Sequence, residues 1–507
     1  MGSHAGEGYD LAVVGGGMGG LALGALAVRR GMRVALLESH ATLGGCAGYF
    51  GRGPYHFDVG ATALMGLGPG EPIGDLLAAV GLDFRGVRTP SYRVHLPDRA
   101  IDLGPDSFAF EADVARAFPG HDRARRLFFR LQAAVGDALF RAAGRVPRLP
   151  ARSPGDLLYD LHALGLGGLL SASTAAITVD DALRLFGLQG DRPFRAWIAM
   201  LLQDTAQAGP ETVPFANASA CLQAYRLGMS RPRGGMAALA EGLGSRFAAL
   251  GGNLQMNNPV ALVEPADGGG FVVRTRRGAC LKARQVAFNL PIDLAAGLLG
   301  RDLQGRLGRR ADQSRAAWSA FNGYVAIRRD AVPDDSPLFH QVLQSYDRDP
   351  HDGNNVLVSL SPPGDPGYGP DDVRVATMST HTRPADWSGL AGEARASKKA
   401  DYAARLLAAL GRALPDAPAA LVHSEFATPR SWIRYTRRSG GAVGGPPVSR
   451  RNANLLAVGP DVLGPGLWVV GDSVFPGQGT MAVVLSAIRI VERIAGVSWA
   501  RIKAEAG

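Results

Sequence analysis

Apolar residues near the N-terminus occur in short runs separated by a helical pattern. A four-residue apolar run at 11–14 precedes a helical pattern at 21–30, and a second run follows at 34–37. Runs of this length are typical of buried strands, and their order is that of a parallel strand–helix–strand unit. We therefore predict that the chain opens with the first unit of a nucleotide-binding fold.

The rest of the chain combines helical and strand patterns. Residues 44–62 alternate short strands with glycine turns, and residues 75–227 are mostly helical, with a break marked by prolines at 147, 150 and 154. A helix running to residue 249 is followed by strands at 260–264, 271–275 and 285–288, the first two joined as a hairpin. Strands at 321–327, 356–359 and 373–377 predict a second, antiparallel sheet. A buried strand at 467–470 and a helix at 479–495 end the chain.

These elements predict an α/β fold in which a discontinuous Rossmann-like domain carries an inserted α+β substrate domain. The inserted domain contains an antiparallel sheet and a helical portion. We assign segments 1–90, 231–300 and 441–507 to the nucleotide domain. Segment 91–230 forms the helical, membrane-facing substrate domain, and 301–440 forms the substrate sheet. Ligands of such folds bind where the domains meet.

The turn after the first strand has the spacing G-x-G-x-x-G at Gly15, Gly17 and Gly20. The first glycine permits a tight turn, the second lets the backbone approach a pyrophosphate, and the third allows close packing of helix on strand. The pyrophosphate would lie at the helix N-terminus, where unpaired N–H groups favour an anion. Glu38 ends the second strand, where a carboxylate is expected to bind a ribose hydroxyl.

Composition supports a large globular chain in a reducing compartment. The 507 residues are 46% hydrophobic and 20% charged, which suits two or three domains. The three cysteines, Cys46, Cys221 and Cys280, are far apart and odd in number, so no disulfide framework is predicted. We see no secretion signal, expect residues 1–8 to be disordered, and predict a cytoplasmic protein.

The net charge of +9 raises the question of an anionic partner. No aromatic-interleaved basic motif or zinc spacing is present, so we expect neither nucleic acid nor a metal, and an anionic membrane surface fits better. The helix predicted at 123–143 has an apolar face flanked by arginines, and it lies either in a membrane interface or on the core. No run reaches the ~18 apolar residues of a membrane span. We expect peripheral, monotopic attachment to the inner face of the cell membrane. The face comprises Leu127, Phe128, Leu131, Val135, Ala138 and Ala142, with Arg123, Arg126, Arg130 and Arg141 beside it.

Over nearly its whole length the chain resembles the bacterial-type phytoene desaturase and carotenoid isomerase family of FAD flavoproteins. It looks most like the carotenoid 3,4-desaturases. One departure is Cys46, where many relatives carry an arginine after the double glycine. The motifs that carry the resemblance are YDLAVVGGGMGG at 9–20, GGCAG at 44–48, FDVGAT at 57–62, PRGGM at 232–236, SLSPPGD at 359–365, STHT at 379–382, GDS at 471–473 and PGQGT at 476–480.

The resemblance implies an FAD site assembled from both ends of the chain. The glycine turn would hold the pyrophosphate, the second strand the ribose, and the backbone of the 260 strand the adenine. The GDS motif would hold the ribityl chain, and the last helix's N–H groups would face the flavin N1–C2 edge. The implied residues are Gly15, Gly17, Met18, Gly19, Gly20, Glu38, Ser39, Gly44, Gly45, Cys46, Gly60, Ala61, Thr62, Val260, Gly471, Asp472, Gly479, Thr480 and Met481.

Other polar residues are assigned structural roles. His56 is predicted to be exposed or behind the flavin-facing residues, and His381 and Glu425 to be isolated structural groups. Cys46 is predicted to be a small buried contact, without redox chemistry, because no partner has C-x-x-C spacing. The pair at 437–438 is predicted to be a solvated face.

The leading functional hypothesis is an FAD-dependent desaturase of a carotenoid or related long polyene, with hydride passing to flavin N5. No catalytic residue is identified. Only one dinucleotide fingerprint is present, so quinone or O₂ is the expected electron acceptor. The alternatives are a redox-neutral cis–trans isomerase, a flavin-dependent saturase or oxygenase of another isoprenoid lipid, and a non-enzymatic carrier. Product mass separates desaturation from isomerisation.

Overall fold

Strands from the beginning, middle and end of the chain form the first sheet. The computed structural model describes residues 8–89, 91–165, 171–300 and 315–505; residues 1–7 of the segment predicted to be disordered lie outside it. The sheet has seven strands in the order β10-β11-β12-β1-β2-β9, and β18 pairs with β12. Its strands are β1 (Tyr9–Val14), β2 (Val34–Leu37), β9 (Asn253–Gln255), β10 (Val260–Pro265), β11 (Phe271–Thr275), β12 (Cys280–Phe288) and β18 (Leu467–Val469).

The helix after β1 is buried on all sides. Helix α1 (Met18–Arg29) packs between the sheet and two later helices, α9 (Gly235–Ala249) and α13 (Thr480–Ala495). Because α1 is apolar around its whole circumference, it suits this enclosed position. β1 pairs in parallel with both β2 and β12. The predicted Rossmann-like, discontinuous domain is thereby confirmed.

The second sheet also has seven strands, in the order β17-β13-β16-β15-β14-β6-β7. Its predicted antiparallel character is confirmed, although β14 and β6 pair in parallel. The strands are β6 (Tyr92–His95), β7 (Ala100–Leu103), β13 (Ser319–Arg328), β14 (Phe339–Leu343), β15 (Asn355–Leu360), β16 (Val373–Thr382) and β17 (Leu421–Ala427). Two further antiparallel pairs lie outside the large sheets. β3 (Tyr49–Arg52) and β4 (Tyr55–Asp58) form a hairpin, and β5 (Gly86–Arg88) pairs with the distant β8 (Ser230–Pro232).

The helical prediction was wrong between residues 86 and 103, where the chain forms β5, β6 and β7. In β6, Tyr92 and Val94 are buried while the residues between and after them are half-buried, which is the two-residue period of a strand. β6 pairs with β7, its neighbour in the chain, and in parallel with β14, which lies more than 240 residues further along. The pairing with β14 has no local signal in the sequence.

The two faces of the second sheet have different neighbours. On β13, Phe321, Val325 and Ile327 pack in the core beneath helix α11 (Gly392–Ala413). Asn322 and Tyr324, on the alternate positions, line a cavity. The strand alternation therefore directs one face to the core and the other to the cavity.

Helices between the two sheets close the other side of the cavity. The apolar face of α4 (Asp122–Ala143) turns inward except at Leu127, which is 44% exposed: Phe128 and Val135 are 0% exposed and Ala138 is 1% exposed. The core-packing alternative is therefore correct for this face, and a lipid-facing position for it is wrong. In the described part of the chain no helix is both long and apolar enough to span a membrane. The remaining helices are α2 (Pro72–Val80), α3 (Ser107–Ala117), α5 (Pro154–Leu164), α6 (Val179–Leu185), α7 (Arg192–Ala206), α8 (Phe215–Leu227), α10 (Ile292–Gly297), α12 (Pro429–Thr436) and α14 (Trp499–Ala504).

Candidate functional site

A cavity of about 1480 Å³ extends from the first sheet to the helices beside the second sheet. This volume exceeds the ~300–1,000 Å³ typical of a site for one drug-sized ligand. All of the cofactor-site residues predicted from the sequence line it except Gly20 and Thr62. Gly20 lies behind the turn that it supports, and Thr62 is buried. The structure thus brings together predicted residues from both ends of the chain.

The glycine turn leaves an open helix N-terminus. Gly15 has a φ of +105°, which favours glycine, and a Cβ at Gly20 would overlap the carbonyl oxygen of Gly15. Gly17 is the N-cap of α1; no side chain caps this end, and its first turn has no acidic residue. The N–H groups of Met18 and Gly19 are therefore available to an anion beside the cavity.

The carboxylate of Glu38 is oriented by backbone donors. It accepts hydrogen bonds from the N–H of Gly16 at 2.6 Å and from the N–H of His40 at 2.7 Å, and Ser39 Oγ lies 3.2 Å away. The carbonyl of Glu38 accepts from Asn258 N–H at 2.8 Å, which places Val260 beside the same end of the cavity. This end carries the groups expected for an adenosine.

The second glycine segment lies directly against the first. Gly44 N–H donates to the carbonyl of Gly16 at 2.9 Å, and Gly44 faces Gly17 in a parallel bridge. A Cβ on Gly45 would lie 3.4 Å from the Cα of Gly17. Burial raises the pKa of the Cys46 thiol, so Cys46 is a neutral contact at this point of the cavity.

A buried ion pair supports the loop that contains Gly60, Ala61 and Thr62. Asp58 Oδ2 lies 3.1 Å from Nη2 of Arg231, and both side chains are at most 2% exposed. Nη1 of Arg231 donates to the carbonyl of Thr62 at 3.0 Å. The indole of Trp432 packs on Gly60, where a Cβ would meet the ring at 2.7 Å. The loop is therefore fixed from both sides where it lines the cavity.

The C-terminal segment returns to the glycine turn through Asn289. Its Nδ2 donates to the carbonyl of Val470 at 2.9 Å, and a Cβ on Gly17 would meet its Oδ1 at 2.5 Å. Gly479, with a φ of +97°, is the uncapped N-cap of α13. Thr480 and Met481 follow in the first turn and line the cavity. A second open helix N-terminus thus faces the same space.

The prediction for the arginine pair was wrong for one of its members. Both arginines line the cavity, but Arg437 is exposed, whereas the side chain of Arg438 is only 13% exposed. Its Nη2 lies 2.6 Å from Oδ2 of Asp472, and its Nη1 donates to the carbonyl of Gly444 at 2.8 Å. The left-handed backbone of Arg437, with a φ of +60°, turns the two side chains in different directions.

The far arm of the cavity is mainly apolar. It runs between α4, α5 and α8 on one side and β14 and β15 on the other. Representative lining residues are Leu139, Leu161, Ala220, Ala224, Phe339 and Leu357. An arm of this composition favours a long hydrocarbon ligand.

A polar cluster lies where this arm meets the nucleotide end. Nδ1 of His381 lies 3.5 Å from Oδ1 of Asp204, and Gln207 Nε2 lies 3.4 Å from Nε2 of His381. Gln207 also donates to the carbonyl of Val443 at 2.8 Å, next to the Gly444 that holds Arg438. The prediction that His381 is isolated was therefore wrong.

Glu425 and His56 differ in their surroundings. Glu425 is not isolated, because its oxygens lie 2.7 and 3.0 Å from the Arg52 guanidinium. His56 is exposed, as predicted. Among the described residues, no group of three or more His, Cys, Asp or Glu side chains is placed to hold a metal ion.

Sequence reasoning missed Asn289, Asp204, Arg231 and the inward position of Arg438. Asp58 belongs to one recognised motif and Arg231 precedes another, which is a weak signal that they act together. Asn289 follows a predicted strand, but its two partners come from opposite ends of the chain. Only the folded chain brings these contacts together.

Comparisons with known proteins agree with this architecture. A family model described as an NAD(P)-binding Rossmann-like domain matches residues 13–80. The chain is 25% identical to the chloroplastic prolycopene isomerase of Arabidopsis thaliana, over 96% of this chain and 82% of that protein. It is 24% identical to the zeta-carotene-forming phytoene desaturase of Myxococcus xanthus, over 97% of this chain and 95% of that protein.

Solved structures support the fold. A variant of putrescine oxidase superposes with a TM-score of 0.65 at 16% identity, covering 96% of this chain and 99% of that one. The predicted fold class and the resemblance noted in the sequence are confirmed. The chain is an enzyme with a Rossmann-like oxidoreductase fold, homologous over nearly its full length to carotenoid isomerases and phytoene desaturases.

Proposed function

We propose that this enzyme is an FAD-dependent desaturase of a carotenoid or a related long polyene. The observation that carries the proposal is a single cavity that joins two open helix N-termini to a mainly apolar arm. The relatives named for phytoene and prolycopene point to the same class of substrate.

The residues of the nucleotide end fit FAD. The N–H groups of Met18 and Gly19 suit its diphosphate, because a helix N-terminus favours an anion. Glu38 suits the adenosine ribose and Asp472 the ribityl chain. The N-terminus of α13 suits the flavin N1–C2 edge, where its dipole stabilises negative charge.

The chain's contribution to the reaction is to orient an apolar substrate and to accept a proton. When bound, FAD supplies the oxidant, because its isoalloxazine ring accepts hydride at N5 from an allylic carbon. The apolar arm holds the polyene and excludes water. The neighbouring carbon loses a proton, so the product has two hydrogens fewer than the substrate.

His381 is our candidate for the proton acceptor. Its Nδ1 faces Asp204, which favours the tautomer protonated at Nδ1 and leaves Nε2 as the acceptor. Asp204 is itself oriented by Gln341, whose Nε2 donates to Oδ2 at 2.8 Å. The contacts of Gln207 put His381 at the junction of the arm and the nucleotide end.

The experiment that tests the function combines two readouts. Flavin-loaded protein is incubated anaerobically with candidate carotenes, and flavin bleaching and product mass are followed together. A desaturase bleaches the flavin and yields a product two hydrogens lighter. If none of the polyenes is converted and the flavin stays oxidised, the proposal is wrong.

The second candidate is a redox-neutral carotenoid isomerase, favoured by the prolycopene isomerase relatives, which match 96% of the chain. It would yield a product of unchanged mass and an altered absorption spectrum. Saturation or oxygenation of an isoprenoid lipid would instead raise the mass. One mass measurement therefore distinguishes all three reactions.

The proton-acceptor role has its own test. Replacing His381 with Gln should lower kcat roughly 10²–10⁴-fold, the contribution of a positioned base. It should leave FAD affinity unchanged. The exposed His56→Gln variant is the matched control. Retention of wild-type kcat by His381→Gln would rule out this role.

We also propose peripheral attachment to the inner face of the cell membrane, with quinone or O₂ as the electron acceptor. The exposed leucines Leu157, Leu158 and Leu161 on α5, together with Leu455 and Leu456, support this. Leu157, Leu161 and Leu455 also line the cavity, so the exposed leucines border its apolar arm. A substrate dissolved in lipid could enter there without crossing water.

Vesicle binding tests the attachment. Leu158 is 68% exposed and Leu456 is 63% exposed, and replacing both with Glu should reduce co-sedimentation with vesicles containing anionic phospholipid. Leu185→Glu is the matched control, because Leu185 is 74% exposed and does not line the cavity. Equal binding by the double variant and the wild type would contradict this surface.

A further inference from the structure

A buried cation lies at the centre of the nucleotide end of the cavity. Arg438 lines the cavity with a side chain that is only 13% exposed. A guanidinium has five N–H donors. Among the described residues, Nη2 of Arg438 donates one hydrogen bond to Asp472 and Nη1 donates one to the carbonyl of Gly444. Donors remain that can bind an anion.

A series of contacts places this guanidinium close to the glycine turn. Gly45 approaches the Cα of Gly17, and the next residue, Cys46, lies within electrostatic reach of both Arg438 and Asp472. On the other side, Asn289 links Gly17 to the strand that leads into Asp472. Arg438 therefore stands beside the two segments that enclose the open N-terminus of α1.

The positive charge of the buried Arg438 side chain is stabilised by neighbouring groups. Burial by itself lowers the pKa of a guanidinium, but the neighbouring groups, foremost the Asp472 carboxylate, together outweigh burial and raise the pKa of Arg438 above its usual value. The arginine is therefore held in its charged form and in one orientation. Glu38 and Asp472 are carboxylates in the cavity lining, and their negative charges oppose a dianionic diphosphate. A buried arginine offsets that opposition.

We propose that Arg438 binds the diphosphate of FAD and completes the anion site formed by the N-terminus of α1. This inference rests on the proposed FAD dependence. Asp472 acts as the positioning residue for the guanidinium as well as a ribityl acceptor. The cation of this site comes from the segment after α12. Position 46, beside the second glycine pair, holds a neutral thiol and supplies no positive charge.

Ligand affinity tests the assignment without any turnover. The dissociation constants of FAD and of riboflavin, which has the ring and ribityl chain but no phosphate, are measured on apo-protein by calorimetry. Arg438→Met should weaken FAD binding about 10- to 100-fold, the range for a charge-assisted hydrogen bond. Its riboflavin affinity should stay within about threefold of wild type, since the lost bond is to phosphate.

Two further variants sharpen the result. Arg451→Met removes an exposed arginine that does not line the cavity and should leave both affinities unchanged. Cys46→Arg in the Arg438→Met background places a cation beside the same glycine turn and should recover at least tenfold of the lost FAD affinity. The wild-type FAD affinity should fall with rising salt more steeply than that of Arg438→Met.

The outcomes separate this inference from the proposed function. If wild-type apo-protein does not bind FAD, the proposed cofactor is wrong. If it binds FAD and Arg438→Met binds equally well, the assignment of Arg438 is wrong. Equal weakening of FAD and riboflavin, accompanied by a lower apo-protein melting temperature, would show that Arg438 only holds the fold together.

Discussion

The buried ion pair between Asp58 and Arg231 should be a main determinant of stability. Asp58 forms an ion pair with Arg231, and it accepts hydrogen bonds from the N–H of Met236 at 2.8 Å and from the hydroxyl of Tyr368 at 3.3 Å. The pair thereby joins the cavity loop, the start of α9 and the second sheet. We consider the substitution Asp58→Asn, which preserves shape and the bond to Met236 but removes the charge.

The expected loss follows from burial. Asn would leave the guanidinium of Arg231, which is 0% exposed, without its counter-ion. Breaking a buried pair in this way costs about 3–5 kcal/mol of unfolding free energy. The matched control is Asp330→Asn, because Asp330 and Arg328 form an ion pair at 3.2 Å with side chains 72% and 58% exposed. Removing such a surface pair costs about 0–1 kcal/mol.

Urea denaturation followed by tryptophan fluorescence measures both losses. A loss of less than about 1 kcal/mol for Asp58→Asn, equal to the control, would refute the reasoning. A double-mutant cycle adds a second condition. Asp58→Asn combined with Arg231→Met removes the stranded charge, so the double variant should be more stable than the sum of the single losses by about 1–3 kcal/mol.

Two other predictions concern the glycine turn and a histidine pair. Gly20→Ala places a methyl group against a backbone carbonyl and should abolish FAD retention on purification, whereas Gly190→Ala, with nothing within 4 Å, should retain it. Burial lowers the pKa of His95 to about 4 and that of His340 to about 3. In the unfolded chain both histidines take up protons at a higher pH than they do in the folded protein. The free energy of unfolding should therefore decrease as the pH falls below 6.5, by about 2 kcal/mol for each histidine at pH 5. In urea titrations at pH 7 and pH 5, His340→Gln should lose less stability than wild type; an equal loss would contradict the prediction.

Local patterns were sufficient for the nucleotide-binding unit. The run at 34–37 is β2 as observed, and the helix predicted at 21–30 begins earlier, at Met18, because Gly17 is its N-cap. The hairpin of β10 and β11 was also readable, since its strands are separated by one short glycine turn. In each case the residues that determine the structure are neighbours in the chain, or belong to one strand–helix–strand unit.

Patterns failed where partners are distant. The strands β5, β6 and β7 were predicted as part of a helical region. β5 pairs with β8 and β6 pairs with β14, both far along the chain, and only the pairing of β6 with β7 is local. Helix α4 has an amphipathic pattern that suits a membrane or a core, and only packing against its neighbours directs Phe128 inward. An amphipathic pattern states that one face is covered but does not identify what covers it.

The candidate site also combines features set by local sequence with features set by long-range contacts. The sequence alone determined the dinucleotide turn, the return of the last strand and helix, and the family resemblance, because these depend on glycine spacing and short-range periodicity. The tertiary structure alone decided that Arg438 is buried, that Asp58 pairs with Arg231, and that His381 meets Asp204. Each of these features depends on contacts between charged or polar groups that are far apart in the chain. Its existence depends on where burial removes water, and burial is a property of the folded molecule.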